Sequence, residues 1–134
     1  MKGNVAMLGA VPVAPMIPVV DMERARQFYE DTLGLRLLED ISNQDSIAYE
    51  CGQGSILVLY WRPTPTKADH TAAAWRVDDI EDAVRRLAAK GIRFEQYDFP
   101  GLKTNRQGIA NVGEDYAAWF KDPEGNILGV FQMG

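Results

Sequence analysis

One cysteine, Cys51, and one histidine, His70, occur among the 134 residues. A single cysteine cannot close an intramolecular disulfide. Cys51 falls in a run that reads as a strand, where a buried thiol serves as a small hydrophobe, and no neighbour in sequence marks it as an activated nucleophile. A reducing compartment suits such a chain, so a cytoplasmic protein is expected. Lys and Arg number 14 against 19 Asp and Glu, a net charge of −5, which leaves no basic footprint for a phosphate backbone and excludes nucleic acid as an expected partner. Hydrophobic residues at 46% and charged residues at 25% are ordinary for a globular domain, so neither disorder nor a membrane partner is indicated. The length suits one domain with a real core.

Lys2 and the apolar stretch from Val5 to Val20 superficially resemble a secretory signal. Pro12, Pro15 and Pro18 argue against it, because they would break the helical part of a signal, and no polar cleavage region follows. The stretch reads instead as a first strand at a sheet edge, where proline is tolerated.

Past it, the chain repeats itself. Asp21 is an N-cap residue, and Met22, Ala25, Phe28, Tyr29 and Leu33 follow at helical spacing until Gly34. Asp79 opens a second helix with Ile80, Ala83, Val84, Leu87 and Ala88 as its apolar stripe and Lys90-Gly91 as its end. The segments Val20 to Ala25 and Asp78 to Ala83 align, as do Gly34-Leu35-Arg36-Leu37 and Gly91-Ile92-Arg93-Phe94, which indicates an internal duplication. Strand-like runs follow each helix: Leu35 to Asp40, Ser46 to Cys51 and Ser55 to Trp61, then Arg93 to Asp98, Tyr116 to Lys121 and Ile127 to Met133. Asp122-Pro123-Glu124-Gly125-Asn126 supplies a tight turn, and Phe99 to Gly113 reads as a long loop. The pieces are those of two βαβββ modules, about 12–62 and about 70–133, in a single domain of the α+β class.

The set Asp21, Ala25, Phe28, Tyr29, Leu33 and Gly34, followed by Asp122-Pro123-Glu124-Gly125-Asn126 before the last strand, resembles the vicinal oxygen chelate superfamily, which includes glyoxalase I, bleomycin resistance proteins and ring-cleaving dioxygenases. The resemblance runs from about Ala14 to Phe131. It implies a curved mixed sheet around a cavity, and a homodimer that completes the cavity between subunits. It also implies a divalent metal held by one side chain from the first and last strand of each half. The corresponding positions here are Ala14, Leu57, Ala72 and Gly129, none of which can bind a metal, and Ile56 and Val58 beside Leu57 are no better. Such a site needs several convergent imidazoles or carboxylates. His70 shares the face of Ala72, but one imidazole holds a metal weakly and reads as a residue at the cavity mouth. A variant without metal or cofactor is therefore expected.

If those positions mark the concave face, alternation adds Met16, Leu59, Trp61, His70, Ala74, Arg76 and Phe131 to it, and Trp119 on the adjacent strand resembles a substrate-contacting position of the fosfomycin-resistance branch. Such a wall is aliphatic and aromatic, which suits a planar or apolar small molecule. It could instead be filled by its own side chains, although small residues at 14, 72, 74 and 129 leave volume that packing seldom leaves empty. Arg76 either holds a carboxylate or phosphate or reaches from the strand end into water. Lys103 and Thr104 could close over a ligand. The expected function is metal-independent binding of a small aromatic or apolar molecule. The alternatives are an enzyme with a divergent site, either a lyase or isomerase working with His70, Arg76 or Tyr60 or a metalloenzyme such as a dioxygenase recruiting other ligands, and a purely regulatory or interaction module.

Overall fold

A computed structural model describes residues 7–134, so Lys2, Val5 and Ala6 at the start of the apolar stretch lie outside the described residues. A turn of 3₁₀ helix at Leu8–Ala10 leads into β1, Met16–Val19. The first helix, α1, spans Met22–Arg26 and widens into a π-helical turn over Gln27–Thr32. Then come β2 (Arg36–Leu37), β3 (Ser46–Glu50) and β4 (Ile56–Trp61). The second half holds β5 (Thr71–Arg76), α2 (Ile80–Ala89), a small hairpin of β6 (Asp98–Phe99) and β7 (Leu102–Lys103), and then β8 (Ala110–Val112), β9 (Asp115–Lys121) and β10 (Ile127–Gln132). Among the described residues no helix is long and apolar enough to cross a membrane.

The strands form two four-stranded sheets in the orders β1-β4-β3-β2 and β5-β10-β9-β8, with β1 parallel to β4 and β5 parallel to β10. The same order in both sheets is the structural form of the duplication. The expected second strand of the second half, Arg93 to Asp98, is reduced to a bridge between Phe94 and Phe120, after which the chain leaves the sheet, makes the β6–β7 hairpin and returns as β8. The segment read as a loop is thus largely an ordered excursion. Leu35 to Asp40 also shortens: β2 keeps Arg36 and Leu37, and a 3₁₀ turn takes Glu39–Ile41.

Both helices start where their caps place them. The Asp21 carboxylate accepts the Arg24 N–H and the Asp79 carboxylate accepts the Asp82 N–H, each at 3.1 Å, satisfying one otherwise orphaned amide of each first turn for about 1 kcal/mol apiece. The π turn is defined by Leu33 N–H donating to the Phe28 carbonyl, five residues back, at 2.9 Å. One core joins the halves: Ile17, Tyr29 and Leu59 belong to the same buried cluster as Val84, Phe120 and Leu128. Phe28 of the first half lies 6.4 Å from Phe120 of the second, ring centre to ring centre.

Polar contacts from the Asp122–Asn126 turn close the seam. The Glu124 carboxylate accepts the Val20 N–H at 2.6 Å and the Asp21 N–H at 3.1 Å, and pairs with Arg24 at 2.8 Å, so it neutralises the start of α1. Asp122 accepts from Tyr29 Oη and from the backbone N–H of Glu124 and Asn126, and the Asn126 amide donates to the Pro18 carbonyl at 3.0 Å. In the second half, Gln132 Oε1 accepts the Ile80 N–H at 2.8 Å, the counterpart at the start of α2. The turn motif that carries the sequence resemblance is therefore a structural lock.

Candidate functional site

Each sheet has one face on the helices and one that is open. On the second sheet, strand register puts Ala74 opposite Gly129 and Gly129 opposite Trp119, with Arg76, Phe131 and Ala117 in the next row of the same face. A β-carbon at Gly129 would stand 3.3 Å from Trp119 Cδ1, 3.6 Å from its Nε1 and 3.2 Å from the Ala118 carbonyl oxygen. The indole of Trp119 therefore lies over Gly129, and glycine at that position is what lets the ring come down onto the strand.

Two aromatic rings absent from the sequence-derived set extend this surface. Tyr97 meets Trp119 edge to face at 5.5 Å, and Phe99 follows at 5.8 Å from Tyr97, both within the range of favourable ring pairs. Phe99 is 53% exposed while Trp119 and Tyr97 are half-buried, so the group runs from the sheet outward. Burial, aided by the nearby Glu95 carboxylate, raises the Tyr97 hydroxyl above its usual pKa and keeps it neutral. The alternation Tyr97-Asp98-Phe99 before Pro100-Gly101 was the available signal for a hairpin presenting both rings.

The hairpin is held by Thr104, which is 9% exposed. Its hydroxyl accepts the Tyr97 N–H at 2.9 Å and stands 3.2 Å from the Tyr97 carbonyl and the Gln96 side-chain oxygen, while its own N–H donates to the Tyr97 carbonyl at 2.9 Å. The expectation that Thr104 could close over a ligand is corrected: its polar atoms are spent on the hairpin's base. Lys103 is exposed on β7.

On the first sheet the alternation slipped by one residue. Met16 pairs with Val58 and Ile17 with Leu59. Leu57 and Leu59, 2% and 0% exposed, lie in the helix-side core with Ile17 and Tyr29, so they do not belong to the open face. Trp61 pairs with Val19 and points with Leu59 to the helix side, at a strand end where it remains 47% exposed. The open positions of β4 are Ile56, Val58 and Tyr60. Every residue from Ile56 to Trp61 is apolar or aromatic, which gave alternation no contrast to read. Ala14, half-buried ahead of β1, and the exposed Met16 occupy the edge of this sheet.

Ala72 is half-buried and Ala74 exposed on β5, and Phe131 is half-buried on β10. Arg76 is exposed at the end of β5. His70 is exposed before β5, with Nδ1 3.3 Å from the Thr71 carbonyl. Cys51 is a free thiol packed against the core. Register thus puts Ala74, Arg76, Trp119, Gly129 and Phe131 on one open face, leaves Ala72 at the register shift packed against the core, sets Met16 and Ala14 on the other sheet, and takes Leu57, Leu59 and Trp61 to the helix side.

These groups do not fit a divalent metal. The open faces of β1, β4, β5 and β10 offer the Tyr60 phenol on one sheet and the Thr71 hydroxyl, opposite Ile127, on the other, and otherwise hydrocarbon or a guanidinium. Among the described residues no group of three or more His, Cys, Asp or Glu is arranged to hold an ion. The position where relatives are expected to supply a ligand from the last strand is covered by an indole.

The sequence profile of the Glyoxalase/Bleomycin resistance protein/Dioxygenase superfamily matches residues 11–130, and the chain belongs to that superfamily. A lactoylglutathione lyase of Haemophilus influenzae is 29% identical over 121 residues, 82% of this chain and 83% of that protein. Among solved structures, TnmS3, an antibiotic binding protein from Streptomyces sp. CB03234, is 26% identical with a TM-score of 0.66, covering 96% of this chain and all (100%) of that one. Lactoylglutathione lyase from Agrobacterium tumefaciens, at 19% identity and a TM-score of 0.64 over 92% of this chain and 93% of its own, shares the fold.

Proposed function

We propose that this protein binds a planar, largely apolar aromatic molecule without a metal and without transforming it, as a sequestering protein of the bleomycin resistance type. The observation that carries the reading is the ring group of Trp119, Tyr97 and Phe99 laid beside Gly129. A flat ring system stacks on the Trp119 indole and meets the inclined Tyr97 and Phe99 rings at its edge, at small entropic cost because Trp119 and Tyr97 are half-buried. The likeness to an antibiotic binding protein supports the same reading. So does the donor set, which among the described residues has no convergent group of three or more His, Cys, Asp or Glu.

The reading includes a homodimer. β1 and β5 are outer strands of their sheets, and Met16 and Ala74 on the open faces are exposed, so neither face is enclosed within one chain. A second copy laid against these edges would bring one sheet's face over the other's and exclude water from a bound ring.

Titration of intrinsic fluorescence with planar aromatics, such as anthraquinones, naphthoquinones and flavones, tests the proposal. Saturable quenching is expected, unchanged by EDTA, abolished in Trp119→Leu and retained in Trp61→Phe. Absence of a saturable response across the panel overturns it. The lyase or isomerase alternative is favoured by the lactoylglutathione lyase relative. Stoichiometric nickel or zinc in protein purified without chelators would establish that alternative in its place.

A further inference from the structure

We infer, resting on the aromatic-binding reading above, that the molecule bound is an acid, and that Arg76 selects it by pairing with a carboxylate or phenolate on the ring system. Two arginines lie within strands, and both fall on open faces: Arg36 opposite Glu50 and Arg76 opposite Phe131. Arg36 is neutralised by its direct ion pair with Glu50 across the strands. Arg76 has no ion-pair partner among the described residues. Its row on the sheet is Arg76, Phe131, Ala117, and the adjoining row is Ala74, Gly129, Trp119. Successive residues of one face stand about 7 Å apart along a strand and neighbouring strands about 5 Å apart. A guanidinium at Arg76 therefore reaches the end of a two- or three-ring system lying on Trp119 and flanked by Phe131.

On the strands of this face two further charges are already engaged, while Asp98 and Lys103, opposite each other on the β6–β7 hairpin, are exposed and make no ion pair among the described residues. Lys121 lies 3.8 Å from Glu95 at the far end of β9, and the Asp115 carboxylate accepts the Gly134 N–H. Around the cleft that Arg76 borders at the start of α2, Asp79 is the helix cap and Asp82 pairs with Arg85 and Arg86. Asp78 is the remaining carboxylate there, in the chain segment leading away from the sheet, and it lies outside ion-pair distance of Arg76. A protein of net charge −5 repels a free anion at long range, so selective uptake of one requires a fixed local cation, and a guanidinium beside apolar surface gives a short, planar, charge-assisted pair.

Affinities for matched acid and methyl-ester probes test the inference: 2-naphthoate, anthraquinone-2-carboxylate and flavone-6-carboxylate, each against its ester. The acids are expected to bind about tenfold tighter than the esters, as one charge-assisted hydrogen-bonded pair allows. Arg76→Gln should bring the acid-to-ester affinity ratio down to about one, and Arg76→Lys should restore part of it. Equal binding of acid and ester, or an Arg76→Gln variant that weakens both alike, overturns the role of Arg76 and leaves the aromatic-binding reading standing. If no probe of either kind binds, both fall together.

Discussion

Tyr29 Oη donates to Asp122 Oδ2 at 2.7 Å, joining the first helix to the last turn across 93 residues of sequence. Both residues are buried, and Tyr29 also stacks on Tyr49 with ring centres 6.1 Å apart. Burial, the Asp122 charge and the hydrogen bond together push the Tyr29 hydroxyl far above the usual tyrosine range, so it acts only as a donor.

Replacing Tyr29 by Phe keeps the ring and removes the donor. Asp122 retains its bonds to the Glu124 and Asn126 amides and to the Asn126 side chain. Loss of one charge-assisted bond to a buried carboxylate should cost about 1.5–3 kcal/mol. Urea unfolding is expected to show a lower midpoint with an unchanged m-value and an unaltered far-ultraviolet circular dichroism spectrum.

The Glu124 carboxylate gives the fold an acid-sensitive joint. Burial opposes its ionisation, but the Val20 N–H, Arg24 and the Asp21 N–H outweigh burial and hold its pKa below the usual glutamate value. Glu30 is likewise lowered, first by its hydrogen bond from Arg26 against burial and then by Tyr49 Oη. A depressed folded-state pKa means stability that is complete above the unfolded value of about 4.3 and lost as pH falls through the folded value. Glu124→Gln should cost about 2 kcal/mol near neutrality, mostly through the two amides, since Arg24 is half-exposed and screened. The gap between variant and wild type should narrow between about pH 5 and pH 3 in chemical denaturation.

Thr104 offers a way to loosen the aromatic hairpin without touching an aromatic ring. Thr104→Val preserves shape but strands the Tyr97 N–H, which now donates to the Thr104 hydroxyl. Hydrogen exchange at residues 96–104 should rise by about tenfold, and binding of a planar ligand should weaken several-fold, with global stability falling by about 1 kcal/mol. Unchanged ligand affinity together with faster exchange would show that Tyr97 and Phe99 do not contribute to binding.

What the sequence displayed and what it hid follow from locality. Asp21 and Asp79 mark helix starts through bonds to their own neighbours, and Gly34 and Gly91 mark the ends with φ of 74° and 97°, so these are legible. The duplication was legible because its halves keep the same caps and stops. The side of β4 was not, since Leu57, Val58, Leu59 and Tyr60 are all apolar and only pairing with β1 decides which of them face α1. The π turn adds one residue to the period of a helical segment that runs only from Met22 to Thr32, below what spacing can resolve. Tyr97 and Phe99 are not legible because β6, which holds Phe99 and follows Tyr97, is two residues long and depends on Thr104 for its position. Gly129 was read as an empty ligand position, but its meaning comes from Trp119, ten residues earlier on the neighbouring strand.

Gly129→Ala tests that meaning with the smallest possible change. The backbone at Gly129 is not in the left-handed region, so alanine carries no conformational penalty there. What it meets is the Ala118 carbonyl oxygen at 3.2 Å and the indole edge at 3.3 Å, both closer than a methyl group normally approaches. The carbonyl belongs to the β9–β10 ladder and cannot yield, so the indole side chain must shift. The variant should therefore fold with a loss of about 1–2 kcal/mol, from overpacking, and show a changed near-ultraviolet circular dichroism signal from the displaced ring. Affinity for a planar aromatic should fall by about tenfold, because the platform, rather than any side chain at 129, makes the contact. An alanine variant with wild-type affinity and an unmoved indole signal would mean that the ring is not what a ligand rests on.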